Sequence, residues 1–248
     1  MNTVVVVALV SLSIGLSKGG LGGPMLVPLV TPLLSQIMTA PQAVGVSLPL
    51  LIVGDLFALR LYWRKWDMQH IKLLVPMAIL GVVVGTAVLA FLATRPDDTI
   101  LRRIIGIFTL SVVIYRLIRA RLVQVQYQPH HWHGYLAGIF AGIGSTLANA
   151  GAPPFTAYML MQNPSPESFI GTASLFFAIV NMAKLPGVLA IRVLDLQQLP
   201  GIAWSVLLVP VGVGLGRWLT VRVSPQVFEW SMVGLLLCAS AVLLLSPS

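Results

Sequence analysis

Apolar residues run through almost the whole chain in ten stretches parted by short polar joints. They are Thr3 to Ser17, Pro24 to Ser35, Ala43 to Tyr62, Ile71 to Ala93, Ile104 to Ile118, Gly134 to Ala148, Pro153 to Met161, Phe169 to Ala190, Leu199 to Leu219 and Val227 to Leu245. A helix needs about 20 residues to cross a bilayer. Six of the stretches are that long or nearly so, and the other four form two short pairs, one beginning each half. Each pair is divided by a Gly/Pro-rich break, and the joints are too short to fold as an aqueous domain. The pattern predicts an all-α polytopic membrane protein of eight to ten helical segments.

The two halves, residues 1–122 and 123–248, line up as an internal repeat. GLSKGGLGGPMLVPL sets against GSTLANAGAPPFTAY, with Gly15 opposite Gly144 and Pro24 opposite Pro153. APQAVGVS then meets SPESFIGTAS, and IIGIFTLSVVI meets SMVGLLLCASAVL, in the same order. If each short pair is a re-entrant hairpin, each half has three full crossings, and an odd number inverts the second half relative to the first. The expected architecture is therefore two inverted repeats, each a broken helical hairpin plus three transmembrane helices, joined in one transport unit. A single crossing by a broken pair would instead stretch about 34 residues, near 50 Å of helix, across a core of ~30 Å.

Charge supports the same topology. Inversion places Arg60, Arg64, Lys65, Lys72, Arg116, Arg119, Arg121, Arg217 and Arg222 on one face, against Arg95, Arg102, Arg103 and Arg192 on the other. The basic majority marks the cytoplasmic face and leaves both termini outside it. Read this way, the net charge of +8 sets orientation and meets anionic headgroups, and nucleic acid is not an expected partner. With 57% hydrophobic and 9% charged residues, no soluble class fits. The single cysteine, Cys238, permits no intrachain disulfide. MNTVVVVALV lacks the basic opening of a cleaved signal and is read as part of the first helix.

The breaks carry the candidate chemistry. Backbone that leaves helical geometry inside lipid survives only where protein or an aqueous cavity covers it, so two matched breaks point to one shared cavity at the midplane. Pro24 and Pro153 suit the first turn of the following half-helix, where a missing N–H does no harm. Free N–H groups and the positive dipole end there favour an anion. The expected binding set is Ser17, Lys18, Gly19, Gly20, Gly22, Gly23 and Pro24 from the first break, with Ser145, Thr146, Asn149, Gly151 and Pro153 from the second. The competing reading of the glycines is close helix packing.

Two ionisable residues stand deep in apolar segments, Asp55 and Lys184. Groups at such depth line a pathway or pair with one another. Asp55 falls opposite Asn181 in the repeat, so their helices are expected to face each other. Asp55 would carry a coupling proton or neutralise a lysine, and Lys184, with Asn181, would contribute to anion binding. The competing readings are a buried structural pair for Asp55 and, for Lys184, a helix ended by Pro186 that lets the amine snorkel to the interface. Ser47, Thr172 and Ser174 could add hydroxyls.

SKGGLGGPMLVP and its weaker copy GSTLANAGAPP resemble the TauE/SafE family of sulfite and organosulfonate exporters, over essentially the whole chain. The resemblance implies secondary transport of a small sulfur-containing or carboxylate anion across the bacterial inner membrane, coupled to protons, without a cofactor. It covers Gly19, Gly20, Gly22, Gly23, Pro24, Gly151 and Pro153; Asp55 and Lys184 rest on burial alone. Ala150, Ala152 and Pro154 replace glycines that are commoner in the family.

Other features are weighed as non-catalytic. His130, His131 and His133 have no familiar metal spacing, and HHWH is read as an interfacial loop with Trp132 at the headgroups. LYWRKWDMQH reads as an interfacial belt, and Asp97 and Asp98 are assigned no chemistry. An anion channel is the nearest rival function. An intramembrane enzyme acting on lipid is a remoter one, because no histidine or second carboxylate accompanies Asp55 at depth. A homo-oligomer is compatible with all of these.

Overall fold

The structure, a computed structural model, describes residues 2–222 apart from 22, 96, 123–129, 195, 196, 198 and 221, and beyond them only 234, 237 and 241. Gly22 and nearly all of the expected last crossing, with Cys238, therefore lie outside the described residues. The described residues contain helices and no strands.

The first half comprises α1 (Thr3–Lys18), a 3-10 turn (Gly23–Leu29) running into α2 (Val30–Leu34), α3 (Ala40–Leu61), α4 (Met68–Ala93) and α5 (Thr99–Leu122). The second comprises α6 (His131–Ala148), α7 (Ala152–Met161), α8 (Pro166–Ala190), α9 (Leu199–Ile202), a 3-10 turn (Ala203–Leu207) and α10 (Leu208–Thr220). Among the described residues, four apolar segments are long enough to cross a membrane: α3, α4, α8 and the run Leu199–Leu219. The chain is a multi-pass membrane protein. Large apolar side chains on the outward face of α4, among them Leu80, Val83, Val84 and Phe91, are exposed, as a lipid-facing surface requires.

Glycine sets the closest crossings. A Cβ on Gly15 would lie 2.3 Å from the Val209 carbonyl oxygen, and one on Gly216 would lie 2.5 Å from the Leu16 oxygen, so α1 and α10 touch backbone to backbone. The same holds for α4 and α6, where a Cβ on Gly81 would meet the Ile139 oxygen and one on Gly142 the Ala78 oxygen, both at 2.2 Å. Each pair rises in register, Gly15 beside Val209 and Gly19 beside Val213, so the partners run parallel. Spacing of four residues between small side chains is what lets membrane helices approach this closely.

The bundle has two ends. At one, the loop between α2 and α3, Ala93 and Arg95, Asp98 and Arg102, and the turn after α8 surround a wide cavity. At the other, Lys65 pairs with Glu167 at 3.0 Å, the Asp67 N–H donates to the Thr172 hydroxyl at 2.8 Å, and Trp63 packs edge-on against Trp66. The α1 pair turns back to the first end, and the α6–α7 pair turns back to the second, where the Tyr158 hydroxyl meets His70 at 3.2 Å.

Two expectations change. HHWH is not a loop: His130 caps α6, its N–H bonded to His133 Nδ1 at 3.0 Å, and His131 to His133 form the first turn. A histidine acceptor three residues on serves the free N–H of a helix start as an acidic or amide side chain would. Asp98 is also not idle, because its carboxylate accepts from the Ala40 N–H at 2.8 Å and from Arg102 Nε at 3.0 Å, tying α3 to α5. Asp97 caps α5 through Thr99, whose hydroxyl and N–H hold its carboxyl below the usual carboxylate range.

Candidate functional site

Helical spacing aligns three polar stripes toward one point. Ser47, Leu51 and Asp55 follow at intervals of four on α3; Phe177, Asn181 and Lys184 share a face of α8; Ser145 and Asn149 share one on α6. Lys18 ends α1. All are buried, with Lys184 at 1% and Asp55 at 1% exposure.

Two linked clusters result. In the first, Lys18 Nζ donates to Asp55 Oδ1, Asn181 Nδ2 donates to Asp55 Oδ2 at 2.6 Å, and the Lys18 ammonium lies 5.5 Å from the centre of the Phe177 ring. In the second, Lys184 Nζ donates to the Ser145 carbonyl at 3.1 Å, to its hydroxyl at 3.2 Å and to Asn149 Oδ1 at 3.2 Å. Asn149 passes this on, donating from Nδ2 to Thr31 Oγ1 at 3.0 Å and to Ser47 Oγ at 2.8 Å. The Thr31 hydroxyl in turn donates to the Ala148 carbonyl at 3.1 Å. Asn149 can do this because it closes α6 in the left-handed region, φ 52°, which its short polar side chain tolerates.

Between the clusters lies a small cavity lined by Lys18, Val27, Leu51, Ser145, Asn149, Ala152, Phe177 and Asn181. The room a water-sized sphere finds there is about 10 Å³, about one water molecule. Lys18 faces it directly, and Lys184 stands behind Ser145 and Asn149. Lys184 has no ion-pair partner among the described residues. Two lysines thus meet one aspartate, and burial makes a second ammonium expensive unless an anion answers it.

The other expected residues are placed as follows. Ser17 is buried and its carbonyl accepts from the Gly20 N–H, with Gly20 at φ 105°. Gly19 faces α10, where a Cβ would strike the Val213 oxygen at 2.3 Å, and its own carbonyl accepts from the Tyr62 hydroxyl at 3.0 Å. Gly23 and Pro24 open the 3-10 turn, where a regular helix start was expected. Pro153 does sit in the first turn of α7. Gly151 packs against the Ala141 oxygen, 2.4 Å from where a Cβ would stand. Thr146 returns its hydroxyl to the Gly142 carbonyl at 2.9 Å and presents its methyl to Gly85, away from the cavity.

Among the hydroxyls proposed from neighbouring helices, Ser47 joins the network, whereas Thr172 caps the α4 approach and Ser174 bonds its own helix at Ile170. The snorkelling reading of Lys184 is overturned, because α8 runs through Pro186 to Ala190 and the side chain is buried. Thr31 and Phe177 were not foreseen. Thr31 is a lone hydroxyl in PMLVPLVTPLL, a signal the sequence does contain. No group of three metal-ligating side chains gathers among the described residues.

Compared with known proteins, the chain matches a family model described as sulfite exporter TauE/SafE over residues 4–243. No curated protein and no solved structure matches it.

Proposed function

The chain belongs to the TauE/SafE family of membrane transporters, and from that premise we propose that it moves a small anion, sulfite, an organosulfonate or a related carboxylate, by alternating access around the Lys18–Asn149 cavity. The observation that carries this reading is the composition of the site: two buried lysines and one buried aspartate around one cavity. An anion of single charge neutralises the site. Lys18, the Asn181 amide and the Ser145 hydroxyl would hold it, with Lys184 contributing through space and through Ser145.

Asp55 is the coupling group in this reading. A proton on Asp55 releases Lys18 and raises the site's charge from one to two, so proton and anion favour each other's binding and move together. The repeat reading of residues 1–122 and 123–248 draws support from the exchange of partners. First helix α1 packs on α10 of the other half, α6 packs on α4, and the central α3 and α8 pack on each other. The fit of one water in the cavity favours a moving pair of halves over a standing pore, since an oxyanion of four or five heavy atoms enters only when they part. The basic majority end faces the cytoplasm of a bacterial inner membrane.

The test is counterflow in proteoliposomes preloaded with sulfite, sulfate, thiosulfate, short sulfonates or short carboxylates. Saturable exchange of one of them supports the proposal. Flux that rises linearly with concentration and shows no exchange favours a channel and overturns it.

A further inference from the structure

The wide cavity at the other end of the bundle is separate from the lysine site and about 700 Å³ in volume. It is walled by the loop after α2, the start of α3, the joint between α4 and α5, and the turn after α8. Three arginines line it, Arg95, Arg102 and Arg192, against one carboxylate, Asp98. That carboxylate is already engaged on both oxygens, by Arg102 Nε and the Ala40 N–H. Arg102 also donates to the Ser35 carbonyl at 2.9 Å, which fixes its guanidinium at the cavity wall. Neither Arg95 nor Arg192 has an ion-pair partner among the described residues.

One further observation sets these arginines apart from ordinary interfacial charge. In the topology above, this end is the one from which the charge bias removes Lys and Arg, yet three of its four arginines gather on one cavity. Planar guanidinium groups suit the oxygens of a small oxyanion, which they can engage in pairs.

The cavity also stands close to the buried site. α2 separates the two, with Thr31 in the Asn149 network and Ser35 on Arg102. At 1.5 Å per residue these four steps span about 6 Å, roughly one helical turn. We propose that Arg192, Arg102 and Arg95 form a second oxyanion station at the mouth of the path, taking a sulfate-like or phosphate-like group before or after it visits the lysines.

The probe is sulfate, and the readout is the rate at which phenylglyoxal labels each arginine, mapped by mass spectrometry on the full chain in phosphatidylcholine nanodiscs. It needs no flux, and repeating it in Lys184→Met, which weakens the buried site, separates the two stations. Sulfate is expected to slow labelling of Arg192 and Arg95 about three-fold or more relative to chloride at equal ionic strength, in wild type and Lys184→Met alike. Arg64, at the opposite end, should be unaffected, and Arg192→Gln should abolish protection at Arg95. Slowing by phosphatidylglycerol alone, with no further effect of sulfate, would assign the station to a lipid phosphate. Equal protection of Arg64, or none at Arg192 and Arg95 in either lipid, overturns the proposal.

Discussion

Replacing Lys184 by methionine removes the surplus charge while keeping the length of the side chain. Lys184 Nζ donates to Ser145 Oγ at 3.2 Å, and a second hydrogen bond of ordinary length, from that hydroxyl, reaches an anion in the cavity. The ammonium is then ~6 Å from the anion. At an effective permittivity of about 20 this is worth ~2.8 kcal/mol, or about 100-fold in affinity. The fold should tolerate the change. Ser145 and Asn149 lose a donor, at about 1–3 kcal/mol, but a desolvated charge disappears, which offsets a similar amount. Equilibrium binding of radiolabelled sulfite to the purified protein measures the loss, and thermal unfolding checks the fold. Lys184→Gln keeps a donor without the charge and should lose about as much as methionine. Full affinity in a folded Lys184→Gln would refute the charge argument and leave Lys184 a hydrogen-bonding strut.

Other outcomes follow from the same contacts. Gly142→Leu drives a side chain into the Ala78 carbonyl, 2.2 Å from its Cβ, and should cut the yield of monodisperse protein severely, whereas Gly201→Leu, with open space around it, should not. Lys18→Met and Asp55→Leu each strand a buried charge and should destabilise by ~3–5 kcal/mol, while the double variant recovers most of that; thermal unfolding of the four-member cycle reads the coupling. Asn149→Gly keeps the left-handed turn but severs the links to Lys184, Thr31 and Ser47. It should lower sulfite affinity more than it lowers the melting temperature, and the reverse order would make Asn149 a helix cap rather than a support of the site.

Much of this arrangement is legible in the sequence because its signals are local. The broken short segments, the depth of Asp55 and the facing of Asp55 and Asn181 all follow from hydrophobic pattern and spacing, and the two side chains do meet at 2.6 Å. What was not legible depends on partners remote in the chain. Close packing is the competing reading of the break glycines, but which helix Gly15, Gly19 and Gly81 meet becomes visible only when α10 and α6 arrive beside them. Pro186 reads as a helix stop, yet a transmembrane helix accommodates proline when neighbours cover the freed carbonyl, and α8 continues past it. Lys184 could therefore be placed in depth but not in environment. Thr31 joins Asn149 across 118 positions, a distance no periodicity reports.

The most direct test of a coupled anion transporter is concentrative uptake of the exchanged anion in proteoliposomes under an imposed pH gradient, with wild type and Asp55→Asn side by side. Wild type should accumulate the anion on the side to which protons run, above its equilibrium level, and Asp55→Asn should only equilibrate it. Equilibration by wild type, or gradient-driven accumulation that survives in Asp55→Asn, would contradict the account.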